Sequence, residues 1–248
     1  MSERFLLAIP VFNEEAHLVQ VLTEAARFIS EIVVVDDGST DSTPKLLSSQ
    51  TLAMTLRHRV NRGYGASLVS AFRFAEQHGY HWLITMDCDR QHEPSFIPRF
   101  MAAADEDAHD IVSGSRYLRR FEGYDTPPPD RRRINARISQ LLNERLSLNI
   151  TDAFCGFKAY RVAALRRLRI TVPGYAMPIQ LWVQAAQARL RIMEVPVTLI
   201  YNDPTRHFGG LLDDPASRLN HYLGIFEAEM ANSPSLTTCT PGCKLTVP

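Results

Sequence analysis

The chain has 248 residues, 45% of them hydrophobic and 22% charged, a composition that fits one large α/β domain or a domain with a subdomain. Its 27 Lys and Arg equal its 27 Asp and Glu, so bulk charge makes no case for a nucleic-acid partner. The cysteines at 88, 155, 239 and 243 form no disulfide framework, and no run reaches the roughly 18 apolar residues a bilayer span needs, so a reducing cytoplasm is expected.

In chain order, FLLAIPV reads as a buried strand rather than a signal peptide, because the run is short, broken by Pro10 and followed by acids. Residues 14–30 carry Leu18, Val21, Leu22, Ala25 and Phe28 on one helical stripe. The run 31–36 is a second strand rich in β-branched residues. A helix follows, with Asp41 or Ser42 as its cap and Pro44 in its first turn. LAMTLRH is a third strand, 65–77 a helix closed by Gly79, WLITMD a fourth strand, 93–104 a helix and DIVSGS a fifth strand. The second half is predicted to hold an Arg- and Pro-rich mobile loop (119–133), a helix over 131–146, the segment TDAFCGFKAYR, a helix with Trp182, a β-pair around RIMEVPVTLIY and a helix over 216–230. Residues 232–248 read as a polar, disordered tail.

Repeated βα units imply a mostly parallel central sheet with helices on both faces, as a single domain over 1–231. Ligands of such sheets sit beyond the carboxyl ends of the strands. That rule selects residues 11–15, 36–41, 61–65, 87–92 and 114–116.

Asp87-Cys88-Asp89-Arg90-Gln91 follows an apolar strand. Read as extended chain, Asp87, Asp89 and Gln91 face one pocket and Cys88 the core. Two carboxylates and an amide oxygen suit Mg²⁺ or Mn²⁺, which would neutralise a diphosphate leaving group. The same residues also make a solvated turn with capping acids. Asp36 and Asp37 can accept hydrogen bonds from ribose or a base edge, or approach a metal, while Gly38 with Asp41 or Ser42 reads as a turn plus helix cap. In Asn61-Arg62-Gly63-Tyr64-Gly65 the glycines let backbone approach a ligand, or simply form a tight turn; Leu68 at the third glycine position weakens a dinucleotide reading. Arg116, Arg119, Arg120 and Arg131 to Arg133 can grip phosphate, lie against anionic lipid, or form a solvated basic loop with Asp125 and Asp130. Asp152 can be a base, a residue that positions the acceptor, an organiser of the arginines or a structural acid.

IPVFNEE, VVVDDGSTDST, NRGYGAS, MDCDRQH, SGSR and TDAFCGFKAYR, in this order and spacing, resemble family 2 glycosyltransferases of the GT-A fold, in the polyprenyl-phosphate (dolichol-phosphate mannose synthase-like) branch. The resemblance covers about residues 4–205. It implies that Pro10, Val11, Asn13 and Glu14 line the base and ribose pocket, with Asp37 beside them, and that Gly65 lies near the nucleotide. It places Asp87, Asp89 and Gln91 on the metal and diphosphate, with Cys88 among the cofactor-binding residues. Arg116 would contact phosphate, Arg131 and its neighbours an acceptor or donor phosphate, and Asp152 would match a family acid. Together Asp89, Asp152, Arg116 and Arg131 form the implied catalytic set.

The implied activity is inverting, metal-dependent transfer of a hexose from a nucleotide-diphosphate sugar of the GDP-mannose or UDP-glucose type. The expected acceptor is a polyprenyl (dolichyl or undecaprenyl) phosphate; a hydroxyl of a cell-surface glycan is the alternative and would need a base such as Asp152. Residues 1–116 would then be the nucleotide-sugar half and 117–231 the acceptor half. A lipid acceptor would be met at the inner face of the plasma membrane, with the 131–146 helix as the contact, and residues 201–210, with Arg206, as an acceptor loop. From another class, Asp36, Asp37, Asp87 and Lys158 loosely mimic a phosphate-accepting signalling module, although the acid pair follows the second strand and the chain is about twice the length of such a module.

Overall fold

The computed structural model describes residues 3–106, 108–122, 125–201 and 209–232. Alternation along the buried strands decides the layering. In β1 (Phe5–Val11), Leu6 and Ala8 join one apolar layer while Phe5, Leu7 and Ile9 join the other. β2 (Ile32–Asp36) divides likewise, with Val33 and Val35 opposed to Ile32 and Val34. Both faces are therefore apolar and both must be covered. On the first face lie α3 (Tyr64–Gln77), α5 (Pro129–Leu146), α7 (Met177–Gln187) and α8 (Pro215–Ala231). On the second lie α1 (Leu18–Ala25), α2 (Thr43–Ser49) and α4 (Ile97–Asp105). The short α6 (Val162–Leu165) packs with the first layer.

The remaining strands are β3 (Met54–Arg57), β4 (Trp82–Thr85), β5 (Ile111–Ser115), β6 (Lys158–Arg161) and β7 (Ile192–Pro196). The sheet order is β3-β2-β1-β4-β6-β5-β7. All neighbours are parallel except β6, which runs antiparallel to both β4 and β5. The order reverses between β2-β1 and β1-β4, so a crevice opens beyond the carboxyl ends of β1, β2 and β4. β6 starts at that same end: Lys158 is in register with Thr85 of β4 and Ser113 of β5.

Several expectations change in detail. The first helix is shorter than 14–30, because the backbone N–H groups of Glu14 and Glu15 donate to Thr43 and Asp41 side chains and hold a turn there. Ile29, not the exposed Phe28, closes its stripe. Ser42 holds the cap position of α2, and the Asp41 side chain before it accepts from Thr43 N at 2.9 Å. The β-pair around 191–201 is, among the described residues, the single strand β7 beside β5. The apolar residues of α5 (Ile134, Ile138, Leu142, Leu146) are buried in the core, so its outer face presents Arg132, Arg133 and Arg137. α5 begins inside the segment predicted as loop, and Asp125 is tied to the strand exit by Tyr201 N at 2.5 Å. The Arg206 segment (202–208) and the tail from 233 onward, with Cys239 and Cys243, lie outside the described residues.

Candidate functional site

The carboxyl ends of β1, β2, β4 and β5 and the entrance to β6 surround a cavity of about 530 Å³. Of the residues singled out in the sequence, Pro10, Val11, Glu14, Asp37, Asp87, Cys88, Asp89, Gln91, Arg116 and Arg131 line it. Asn13, Gly65 and Asp152 do not.

Asp37, at the end of β2, accepts from Arg62 N at 2.9 Å and Gly63 N at 2.7 Å, and its Oδ1 lies 2.6 Å from His58 Nδ1. It thereby fixes the 61–63 turn against the sheet while facing the cavity. Asn13 works from behind. Held at φ 56°, it accepts from Thr40 N at 2.8 Å and keeps the β1 and β2 exits together. Its expected place at the nucleotide becomes one of loop bracing.

Asp87, Asp89 and Gln91 do converge on the cavity, but the chain is not extended there. It bends over 88–92, with Arg90 at φ 63° and Gln91 N donating to Asp89 Oδ1 at 3.0 Å. Cys88 borders the cavity yet is 2% exposed and belongs to the apolar layer of α4, so packing is its visible role. Tyr64 donates to Asp87 Oδ1 at 3.0 Å, and Asp87 N donates to His92 Nδ1 at 3.1 Å. Accepting that bond requires an unprotonated Nδ1. Burial agrees, pushing the His92 pKa down to about 4. Gly156 makes room for Asp87, since a Cβ there would sit 2.4 Å from its Oδ2.

No group of three His, Cys, Asp or Glu side chains gathers as a metal set among the described residues. Two carboxylates and an amide on one wall still fit a Mg²⁺-type ion, which takes one or two protein carboxylates and completes its shell from phosphates and water. Glu14 and Asp37 add two further carboxylates to the lining of the same cavity.

The same cavity also carries guanidinium groups, those of Arg116, Arg131 and Arg218. Asp152 is fully buried and receives Arg116 Nε at 2.7 Å, Arg116 Nη2 at 2.9 Å, Arg116 N at 3.1 Å and Asn135 Nδ2 at 2.7 Å. Burial alone would raise its pKa. The Arg116 charge and these hydrogen bonds outweigh it and hold the carboxyl well below the usual range. Glu194 on β7 anchors the segment, accepting from Thr151 N and Asp152 N. Such a carboxylate is a poor proton acceptor, so the base reading of Asp152 gives way to an arginine holder. Arg131 lies 5.1 Å from the Tyr201 ring.

Sequence reading missed Tyr117, Tyr175, Arg218 and Tyr222 and gave no role to Tyr64 or Phe154 inside its motifs, all six on the cavity. Tyr64 and Tyr117 stood beside flagged residues and were within reach; Arg218 and Tyr222 lie on a helix whose pattern signals only packing.

The glycines of 61–65 admit a second stretch of backbone, and Gly63 also borders the cavity. A Cβ on Gly63 would lie 2.5 Å from the Pro173 carbonyl oxygen, and one on Gly65 2.3 Å from that of Val172. Segment 171–175 thus straps across α3, with Ala66 N donating to Pro173 O at 3.1 Å and Tyr175 stacked on Tyr64 at 5.8 Å. Gly65→Ala should cost about 1–3 kcal/mol, a Tm loss of roughly 2–12 °C in thermal unfolding. An unchanged Tm would mean that the strap does not approach this closely.

The model for "Glycosyl transferase family 2" matches residues 7–169. An undecaprenyl-phosphate mannosyltransferase of Micrococcus luteus is 29% identical over 222 residues, covering 85% of this chain and 90% of its own. A polyprenol monophosphomannose synthase of Mycolicibacterium smegmatis is 30% identical over 208 residues, covering 79% and 77%. Among solved structures, glucosyl-3-phosphoglycerate synthase of Mycobacterium tuberculosis with Mn²⁺, UDP and glucosyl-3-phosphoglycerate superposes with a TM-score of 0.69 at 19% identity, over 93% of this chain and 81% of that one.

Proposed function

The chain belongs to glycosyl transferase family 2 and has the GT-A fold, and on that premise we propose that it moves a hexose from a nucleotide-diphosphate sugar to a polyprenyl phosphate with inversion. The observation that carries this reading is that one cavity gathers both carboxylates and guanidinium groups. Glu14, Asp37, Asp87 and Asp89 supply carboxylates, Arg116, Arg131 and Arg218 supply guanidinium groups, and Ile134, Phe154 and Tyr222 supply apolar wall.

In this reading Pro10, Val11, Glu14 and Asp37 bound the nucleoside, and Asp87, Asp89 and Gln91 hold Mg²⁺ or Mn²⁺. The ion, when bound, neutralises charge on the departing diphosphate. Solved neighbours that hold UDP with Mn²⁺ or Mg²⁺ support a divalent cation. Arg116, clamped by Asp152, presents its guanidinium edge toward the acceptor's phosphate, with Arg131 beside it. A phosphate monoester is already anionic, so no general base is needed, which agrees with the locked state of Asp152. A hydroxyl acceptor would need the base that Asp152 is poorly suited to be. The relatives named for undecaprenyl phosphate and polyprenol support the lipid acceptor.

Residues 1–116 then form the donor half and 117–231 the acceptor half. Among the described residues no helix is long and apolar enough to cross a membrane. Contact with an anionic membrane surface would fall to the outer arginines of α5, Arg132, Arg133 and Arg137.

Calorimetry with GDP-mannose, UDP-glucose and UDP-N-acetylglucosamine, with Mn²⁺ and after chelation, tests the reading. One donor should bind only with the ion, and Asp89→Ala should lose that binding. Failure of all three donors to bind would remove the transferase reading.

A further inference from the structure

α8 lies beyond the residues matched by the family model, which end at 169. It nevertheless brings Arg218 and Tyr222 onto the cavity. Arg218 is 3% exposed. Its Nη1 donates to the Leu212 carbonyl at 2.9 Å and its Nη2 to Asp130 Oδ2 at 2.5 Å. Burying a guanidinium is expensive even when it is paired, and apolar residues of similar size often stabilise as well. Packing of α8 on α5 therefore does not by itself call for an arginine at this position.

Asp130 stands in the first turn of α5, immediately before Arg131. Fixing Asp130 therefore fixes the turn that carries Arg131 to the cavity. The Asp130 carboxyl sits below its ordinary pKa: burial opposes ionisation, but the Arg218 bond overrides it. The arrangement repeats that of Arg116 on Asp152, so two carboxylate-clamped guanidiniums line the same cavity as Arg131. The positive end of the α5 dipole adds to their field. Beside Arg218, the Tyr222 and Phe154 rings lie 4.8 Å apart and form an apolar wall.

We propose that Arg218 is a positioning residue for the acceptor: through Asp130 it sets Arg131, and from α8 it completes a cationic seat for a phosphate monoester whose apolar chain leaves along Phe154 and Tyr222. The inference rests on the transferase reading above and adds to it a residue outside the matched region. Its physical demand is for a planar, two-ended donor, because one side chain must hold both a carbonyl and a carboxylate.

The test measures two affinities on the full chain by calorimetry: a short-chain prenyl monophosphate, and a nucleoside diphosphate with Mn²⁺. Arg218→Met should weaken the prenyl phosphate by about tenfold or more, the factor of one charge-assisted hydrogen bond. It should leave the nucleoside diphosphate unchanged, and Arg218→Lys should restore part of the loss. Asp130→Asn should act in the same direction and carries the test if Arg218→Met fails to fold. Wild-type affinity for prenyl phosphate in folded Arg218→Met overturns the proposal, as does equal loss of both ligands, which would mark a structural role. If the wild type binds no nucleotide sugar, the transferase reading itself falls.

Discussion

Gly156→Ala should sharply weaken ion-dependent binding of a nucleotide sugar at only a modest cost in stability. The added Cβ would stand 2.4 Å and 2.8 Å from the two Asp87 oxygens and 2.8 Å from the Tyr64 hydroxyl. These are the far ends of side chains, so the fold can relax at a cost of roughly 1–3 kcal/mol or less. Asp87 relaxes by leaving the position in which Tyr64 holds it. A displacement on the order of 1 Å at a reacting centre can cost about a hundredfold. Calorimetry with Mn²⁺ and the donor, set beside thermal unfolding, separates the two effects. Retained donor affinity would show that Asp87 is not confined by its cradle. A large Tm loss with parallel loss of binding would show only that the variant is damaged.

Asp152→Ala should be the most destabilising single change in the site. It leaves the Arg116 guanidinium, whose side chain is 18% exposed, without the carboxylate that takes two of its N–H groups. Breaking a buried pair from one side costs about 3–5 kcal/mol, or roughly 6–20 °C in Tm for a chain of this size. The pH dependence follows from the same pair. The folded carboxyl ionises more readily than the unfolded one, so its stabilising contribution is complete above the ordinary aspartate value of 3.8 and is lost as pH falls below it. Denaturant titrations from about pH 2 to pH 5 should therefore show a shallower acid slope for Asp152→Asn than for the wild type. Equal slopes would mean that Asp152 does not carry this charge, and a base role would regain ground.

The strands were legible because buried β-branched runs leave few alternatives: IVVVD and WLIT are buried throughout. The antiparallel course of β6 was not, since KAYR carries no mark of direction and only its neighbours supply one. The same split runs through the site. Asp87, Asp89, Asp37 and Arg116 end strands of a known periodicity, so the carboxyl-end rule reaches them. Arg218 and Tyr222 reach the cavity through the packing of α8 on α5 and α7, which local pattern does not encode. Gly63 and Gly65 drew attention for the right reason, a close approach of backbone, but the approaching group is the 172–173 strap. Asp152 looked like a candidate base because its partner Arg116 is 36 positions away in the chain.

β6 has a further consequence, for the order in which the molecule is made. β4 leaves the ribosome with β1 already available on one side, but its other edge waits for β6. Roughly 75 residues separate them, about 4–15 s of synthesis. For that interval the nascent sheet presents Trp82–Thr85, buried throughout in the finished protein, as an open apolar edge. Such an edge pairs readily with any other strand it meets. The nascent chain is therefore most open to misassembly and to chaperone capture in this window, and the late strand that closes it also brings Gly156 against Asp87.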